Sequence, residues 1–368
     1  MATKALEDII GIAPLTEALR ATTSGIPDPF PAEFSAVKPQ NRILGNKAKW
    51  TRINGARTTA PLAAYGAAGK RVPLQPIAMQ TVTMLYLAME FQIDVNVLNR
   101  LQAFEQYVQD EGVDFIAYNL QELGKRMANT RIVAKASMLR YGAIYWDANG
   151  NILPSSSGAS FTHSSQVPAT HKDQLNGIIS APWSLSNTDI LGQIRVLKQQ
   201  AARETGLKPN HAMYGLNIPY YFQTNSTLQP YLARNPGFRD QLVDSGDVPA
   251  KFGGIERWDN VSEAFFEDAD GTNQALWDND LVVFTPGIGA PDKMDWYGMF
   301  EGSAAVLQGF DAHADAIGAL KNCKQEYGQS GWALPTLAPP LAVTVYLQDV
   351  FMSVIRNEKA PWMADVVF

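Results

Sequence analysis

The chain has 368 residues, 46% of them hydrophobic, a net charge of −6, four histidines and a single cysteine, Cys323. Such a length permits two domains with buried cores. One cysteine excludes an intrachain disulfide and suits a reducing compartment, and the acidic balance argues against a surface built mainly to grip nucleic acid. There is no signal-peptide core at the start and no apolar run of the roughly 18 residues that a membrane span needs. A soluble product made in the cytoplasm, without a membrane partner, is therefore expected.

In chain order, residues 1–40 carry short apolar pieces and the run Gly25-Ile-Pro-Asp-Pro-Phe-Pro31, which cannot be helical. This reads as an arm. No acidic residue occurs between Glu33 and Glu90, whereas Lys38, Arg42, Lys47, Lys49, Arg52, Arg57, Lys70 and Arg71 all fall there. Cations without counter-ions are not expected to fold against one another, so this stretch should meet acidic surface that belongs to something else. Lys49 to Ile53 predicts a strand, Asn54-Gly55 a turn, and Gly66 to Val72 a second turn with a returning strand. A two-stranded loop so poor in large apolar residues is marginal alone and needs a partner to hold it.

Residues 77–97 form an apolar approach to the element around which the chain is organised, the proline-free run Leu98–Tyr141. Leu101, Phe104, Val108, Phe115, Ile116, Leu120, Leu123 and Met127 lie mostly three or four apart, which predicts one long amphipathic spine helix. Asp94 or Asn96 can cap it. Glu105, Asp110, Glu111 and Asp114 come early and Lys125, Arg126, Arg131, Lys135 and Arg140 late, in agreement with the macrodipole. Gly142 ends it, and Gly112 and Gly124 are the points where it can bend. The alternative is two helices joined near Gly124.

Ala143–Trp146 and Ile152–Leu153 flank Asp147–Asn151, a hairpin signal through Asn149-Gly150, and Pro154 to Ala169 reads as a connection or exposed loop. A second unit opens with a helix capped at Ser186-Asn187, lined by Ile190, Leu191, Ile194, Val196 and Leu197 and stopped by Gly206. Strand 212–216, a short helix 218–224, a helical stretch to Leu242, a strand near 254–258 and the buried-looking strand Leu281–Phe284 follow. That alternation is α+β or α/β. The tail offers Leu341–Leu347 and a terminal strand, Asp365–Phe368, expected to pair near the spine.

Chemical motifs are weak. There is no phosphate loop, and Gly287-Ile288-Gly289-Ala290-Pro291-Asp292 lacks the third glycine of a dinucleotide site. Gly328-Gln329-Ser330-Gly331 misses the nucleophile elbow by one residue. His163, His171, His211 and His313 occur singly, His313 and Asp315 supply two metal ligands at most, and Asp278 with Asp280 resembles an acid/base pair only in composition. No catalytic, cofactor-binding or metal residue is assigned, which favours a structural role.

The order of arm, basic loop, spine with hairpin, compact second unit and returning tail is similar to that of the tailed-phage major capsid proteins. Arg57-Thr-Thr-Ala-Pro-Leu-Ala-Ala-Tyr-Gly, Trp183-Ser-Leu-Ser-Asn-Thr-Asp189, Leu281-Val-Val-Phe-Thr-Pro286 with Tyr297-Gly-Met-Phe, and Ala338-Pro-Pro-Leu-Ala-Val resemble, in order, stretches of the lambda-like E family with its Hong Kong 97-type fold. The resemblance implies an α+β chain divided into an N-terminal arm (1–40), an extended E-loop (41–76), a peripheral domain with the spine helix (77–165, completed by 338–368) and an axial domain (166–337). It implies a non-enzyme without cofactor that assembles with itself into pentamers and hexamers, enclosing double-stranded DNA in an icosahedral virion shell. An arm of residues 1–40 is too short for the fused scaffolding domain of some relatives, so a separate scaffolding protein is implied, with a portal and a decoration protein as further partners. The assembly contacts are then Arg42, Lys47, Lys49, Arg52, Arg57, Lys70 and Arg71, lying on a neighbour's Glu105, Asp110, Glu111 and Asp114 or on its stretch Glu263–Asp280. The alternatives are a cytoplasmic hydrolase-like α/β enzyme, with its site at the end of Leu281–Phe284, and an encapsulin-like nanocompartment shell.

Overall fold

The computed structural model describes residues 12–52, 78–101, 106–148, 152–153, 156–262, 265–267, 271, 273–287, 296–307, 323–336 and 342–368. A helix of 36 residues, Gln106–Tyr141, is the spine. At about 1.5 Å per residue it spans roughly 54 Å. It runs through Gly124 without a break, so the two-helix alternative is set aside. Glycine is needed there for a different reason: a Cβ would lie 2.9 Å from Thr22 Cγ2 of the arm. A separate helix, Val95–Leu101, precedes the spine, and the Asp94 carboxylate accepts from Val97 N at 2.9 Å at its start. Gly142, at φ +65°, closes the spine with its N–H donated to Met138 O.

The spine changes character along its length. Ile116, Leu120 and Met127 line a buried stripe as far as Met127, whereas every residue from Val133 to Leu139 is buried. Phe115, expected on the packing face, is 41% exposed, while Ile116 is 2% exposed. Adjacent residues sit about 100° apart around a helix, so only one of the two can face the sheet.

That sheet has six strands, centred on Ala342–Ile355. The central strand pairs antiparallel with Leu85–Ile93, Ser330–Thr336 and Tyr297–Leu307, and Arg42–Ile43 joins the last in parallel. Tyr297–Leu307 and Ser330–Thr336 therefore belong to the sheet over the spine, although the expected boundary at 337 puts them in the second unit. The arm is more ordered than its sequence suggests, since Ile12–Ser24 is helical and buries Leu15 and Leu19 with Ile116, Leu120 and Met127. Lys47–Arg52 forms an antiparallel ribbon with Ala78–Thr83. The return thus comes in the apolar approach; the stretch Gly66–Val72 is outside the described residues. Ala143–Trp146 pairs with Ile152–Leu153, as the hairpin signal requires, and also with Phe161–Ser164, which was expected as loop.

The second unit is a five-stranded sheet in the order Arg257–Asn260, His211–Tyr214, Leu281–Thr285, Trp362–Asp365, Lys172–Asp173. The C-terminal strand pairs here, Leu281 opposite Asp365, while its Met363 packs into the core beneath the end of the spine. Its Trp362-Met363-Ala364 run is wholly buried, which suits an interior strand covered on both faces. Helix Ile190–Thr205 lays Ile190, Ile194, Leu197 and Ala201 on this core, with Val196 turned out. Its cap is Asp189, accepting from Gly192 N at 2.9 Å, in place of Ser186-Asn187, and Gly206 ends it at φ +78°.

Candidate assembly surfaces

In the basic ribbon, the two-residue period of a strand puts Lys47 and Lys49 on one face and Ala48 and Trp50 on the other. Both lysines are exposed, and neither forms an ion pair among the described residues. Trp50 is buried, its ring 6.0 Å from Phe300 and 6.2 Å from His163. Arg42 departs from the expectation that these cations lack an internal counter-ion. Its strand runs beside Tyr297–Leu307 in a register that sets it opposite Glu301, and Nε lies 3.5 Å from Glu301 Oε2, with the side chain 56% exposed. Arg52 is the last residue of its strand; Arg57, Lys70 and Arg71 lie outside the described residues.

The outer face of the spine is the open acidic surface. Asp110, Glu111 and Asp114 are exposed there beside Phe115 and Tyr118, the latter 63% exposed, and Glu111 reaches Arg100 at 3.4 Å. Glu105 is outside the described residues. Within the other expected acidic stretch, Asp278 is already paired with Arg140, whose Nε donates at 3.1 Å, and Asp280 accepts from Asn217 Nδ2 at 2.9 Å and Tyr221 OH at 2.6 Å. Periodicity alone does not disclose these exposed aromatic side chains among carboxylates, because it places Phe115 with the core.

Buried ion pairs fasten this scaffold. Arg131 on the spine donates through Nε and Nη2 to Asp349 at 2.6 Å each and through Nη1 to Glu301 at 3.1 Å. Burial opposes the charge on Arg131, but Asp349 and Glu301 outweigh it and hold its pKa above the ordinary value. Burial likewise pushes the Asp349 carboxyl up against the pull of Arg131. With both oxygens engaged by one guanidinium, the pair is ionised. Glu301 thus links Arg42 of the ribbon to the spine. Arm residues tie the two units together: Asp28 accepts from the buried Lys135 of the spine, and Glu33 accepts from Arg257 at 3.0 Å, which also pairs with Asp259, the partner of His211. Burial lowers the Lys135 pKa, with Asp28 opposing.

Ser330, His171 and His211 make structural contacts. Ser330 is fully buried and its Oγ accepts from Gln348 Nε2 at 2.9 Å. His171 stacks on Trp362 with centroids 3.6 Å apart and donates to Glu204 at 2.8 Å. His163 is buried with Nε2 unpartnered, and burial pushes its pKa down to about 4. His313, Asp315 and residues 288–292 are outside the described residues. Among those described, no group of three or more metal-ligating side chains gathers and no helix is long and apolar enough to cross a membrane.

A family model for the phage major capsid protein E matches residues 38–304. No curated protein matches the sequence. A phage-related protein from Bordetella bronchiseptica RB50 superposes with a TM-score of 0.52 at 11% identity, over 95% of this chain and 96% of that one. A putative prophage capsid protein from E. coli CFT073 gives 0.44 at 15% identity over 78% and 79%, and a chain of the satellite phage P4 procapsid that includes the size determination protein gives 0.40 at 11% over 96% and 99%. At this identity the first superposition speaks to the fold alone, a mixed helix-and-strand fold shared with that phage-related protein. The family match covers most of the sequence, and the chain belongs to the phage major capsid protein E family.

Proposed function

We propose that this capsid protein closes, through pentamers and hexamers, into an icosahedral shell around double-stranded DNA, and that the basic ribbon is laid over the spine of a neighbouring copy. Self-association into the virion shell follows from the family. The finer reading rests on one observation: Lys47 and Lys49 stand exposed without a carboxylate partner among the described residues, while the same subunit displays Asp110, Glu111, Asp114, Phe115 and Tyr118 exposed along its spine. Aromatic side chains ringed by charge are the composition of an interface. A contact between two different surfaces of identical subunits generates rings. Arg52, Arg57, Lys70 and Arg71 extend the same basic stretch, whereas Arg42 is partly committed to Glu301.

In this reading the arm, the ribbon with its loop, the spine unit and the five-stranded unit are the family's arm, E-loop, peripheral and axial domains, with 297–336 counted as peripheral. A chain of net charge −6 leaves packaged DNA free to slide, because few phosphates are neutralised. A separate scaffolding protein, a portal and a decoration protein complete the particle, which is assembled in the host cytoplasm without a catalytic step by this chain. Negative-stain microscopy and sedimentation of the purified protein test it. Rings, tubes or shells are expected, and a compact monomer or dimer at every concentration overturns the reading. Shells filled with a protein cargo in place of nuclease-protected DNA turn it towards the nanocompartment alternative.

A further inference from the structure

The five-stranded unit is electrically polar along its strands. His211–Tyr214 runs parallel to Arg257–Asn260 and antiparallel to Leu281–Thr285, with His211 opposite Thr285. Lys208 and Gly254, which precede those two parallel strands, therefore lie at the Thr285 end. Asp280 precedes Leu281, Asp365 pairs with Leu281, and Asp173 pairs with Ala364, so these carboxylates lie at the opposite end. About 15 Å of strand separates the two, at roughly 3.3 Å per residue.

At the first end is a groove of about 580 Å³ between helix Ile190–Thr205 and the loop at Gly253, lined by Arg195, Lys198, Arg203 and Lys208 over Leu191 and Tyr231. Arg195 and Arg203, eight positions apart, share one stripe of the helix, and with Lys208 they are exposed and form no ion pair among the described residues. Lys198 is spent within the chain, donating to Gly254 O. The other end is a cleft of about 600 Å³ rimmed by Asp173, Asp278, Asp280 and Asp365, in which Arg140 answers Asp278 and Lys172 donates to Tyr141 O at 2.6 Å. Negative charge is left over: the Asp365 carboxyl is held above its ordinary range by burial and then by Asp280, Asp173 and Asp278.

We propose that copies of this chain join head to tail through this unit, the acidic sheet end of one seated at the basic Arg195–Arg203–Lys208 groove of the next. The pairing rests on the assembly reading above and assigns it a second lateral contact, distinct from the ribbon. Complementary surfaces at opposite ends of one rigid sheet make a heterologous interface, which closes into a ring when the rotation allows. A groove in which Leu191 and Tyr231 lie among the cations offers apolar contact that suits a polypeptide better than the phosphate surface of a duplex.

Charge reversal tests it in the full chain. Arg195→Glu/Arg203→Glu/Lys208→Glu and, separately, Asp173→Lys/Asp365→Lys should each lose rings by negative stain and sedimentation. All five changes in one chain should restore them, and rising salt should raise the protein concentration at which wild-type rings form. Circular dichroism checks folding; should a reversal unfold the chain, the neutral Arg203→Gln/Lys208→Gln must still raise that concentration. A wild-type chain that never assembles overturns the assembly reading and this one with it. A wild type and single reversals that assemble alike overturn only this pairing, as does a five-fold variant that fails to recover, which would give the groove to nucleic acid or another acidic protein.

Discussion

Arg131 of the spine grips both carboxylate oxygens of Asp349, at 2.6 Å each, in the middle of the central strand Ala342–Ile355, where Asp349 has no exposed surface. The pair fixes the rotation of the helix on the sheet, because only one helical phase aims Arg131 at that strand. Removing the acid strands a guanidinium that Glu301 answers only through Nη1. Asp349→Ala is expected to destabilise the subunit by about 3–5 kcal/mol in urea unfolding, whereas Arg131→Met with Asp349→Leu, which removes both charges and fills the space, should regain most of that. Equal losses in the two variants would show that the site is held by packing and not by charge.

The spine offers a sharper comparison between neighbours in sequence. Ile116 faces the arm helix and the sheet, and Phe115 faces out. Ile116→Asp buries an unpaired charge and should abolish soluble accumulation. Phe115→Asp should leave a folded subunit with the wild-type melting curve and impair only its assembly. Similar folding defects in both variants would place Phe115 in the core.

That difference marks what the sequence could disclose. Helix stops such as Gly142 and Gly206 and the hairpin after the spine are written locally, in residues whose backbone preferences need no distant partner. Periodicity located the spine but could not choose between two adjacent apolar residues, since the choice is made by what covers the helix. The arm helix over Gly124 and the bond between Arg131 and Asp349, 218 positions apart, depend on pairings that no local pattern encodes. The terminal strand is legible only in part, since the sequence points to Asp365–Phe368 and the strand is Trp362–Asp365, whose alternating side chains are buried on the two faces of the second sheet beside Leu281–Thr285. Lys47 and Lys49 are legible only as cations without a counter-charge among the described residues, because a contact between copies would leave no other trace within one chain.

The root of the ribbon should respond to acid. His163 is packed against Trp50 and held neutral, its pKa lowered by burial to about 4 from an unfolded value of 6.5. The unfolded chain therefore takes up a proton near pH 6.5 that the folded one refuses until about pH 4. Stability from this group is complete above pH 6.5, declines as pH falls, and is lost by about pH 4, a change of about 3 kcal/mol. Unfolding free energies at pH 7 and pH 4.5 check it. His163→Phe should flatten that part of the profile, and an unchanged slope in the variant would assign the acid sensitivity to other groups.

The ribbon itself provides the last prediction. Lys47 and Lys49 project from the face opposite Trp50, so reversing their charge touches no buried contact, and Arg52 is the terminal residue of the strand, opposite Ala78. Lys47→Glu/Lys49→Glu/Arg52→Glu should therefore leave the circular dichroism spectrum and the melting temperature of the subunit unchanged. Each exposed pair with a neighbour's Asp110, Glu111 or Asp114 is worth only about 0–1 kcal/mol. A closed ring repeats every pair around its axis, so small terms add over the particle and the triple variant should fail to form shells. High salt should weaken wild-type assembly in the same direction, since such pairs are screened beyond about 8–10 Å at physiological ionic strength. A triple variant that assembles at wild-type concentration in moderate salt would mean that the ribbon is a solvated basic edge and that its neighbour is held by the aromatic face of the spine alone.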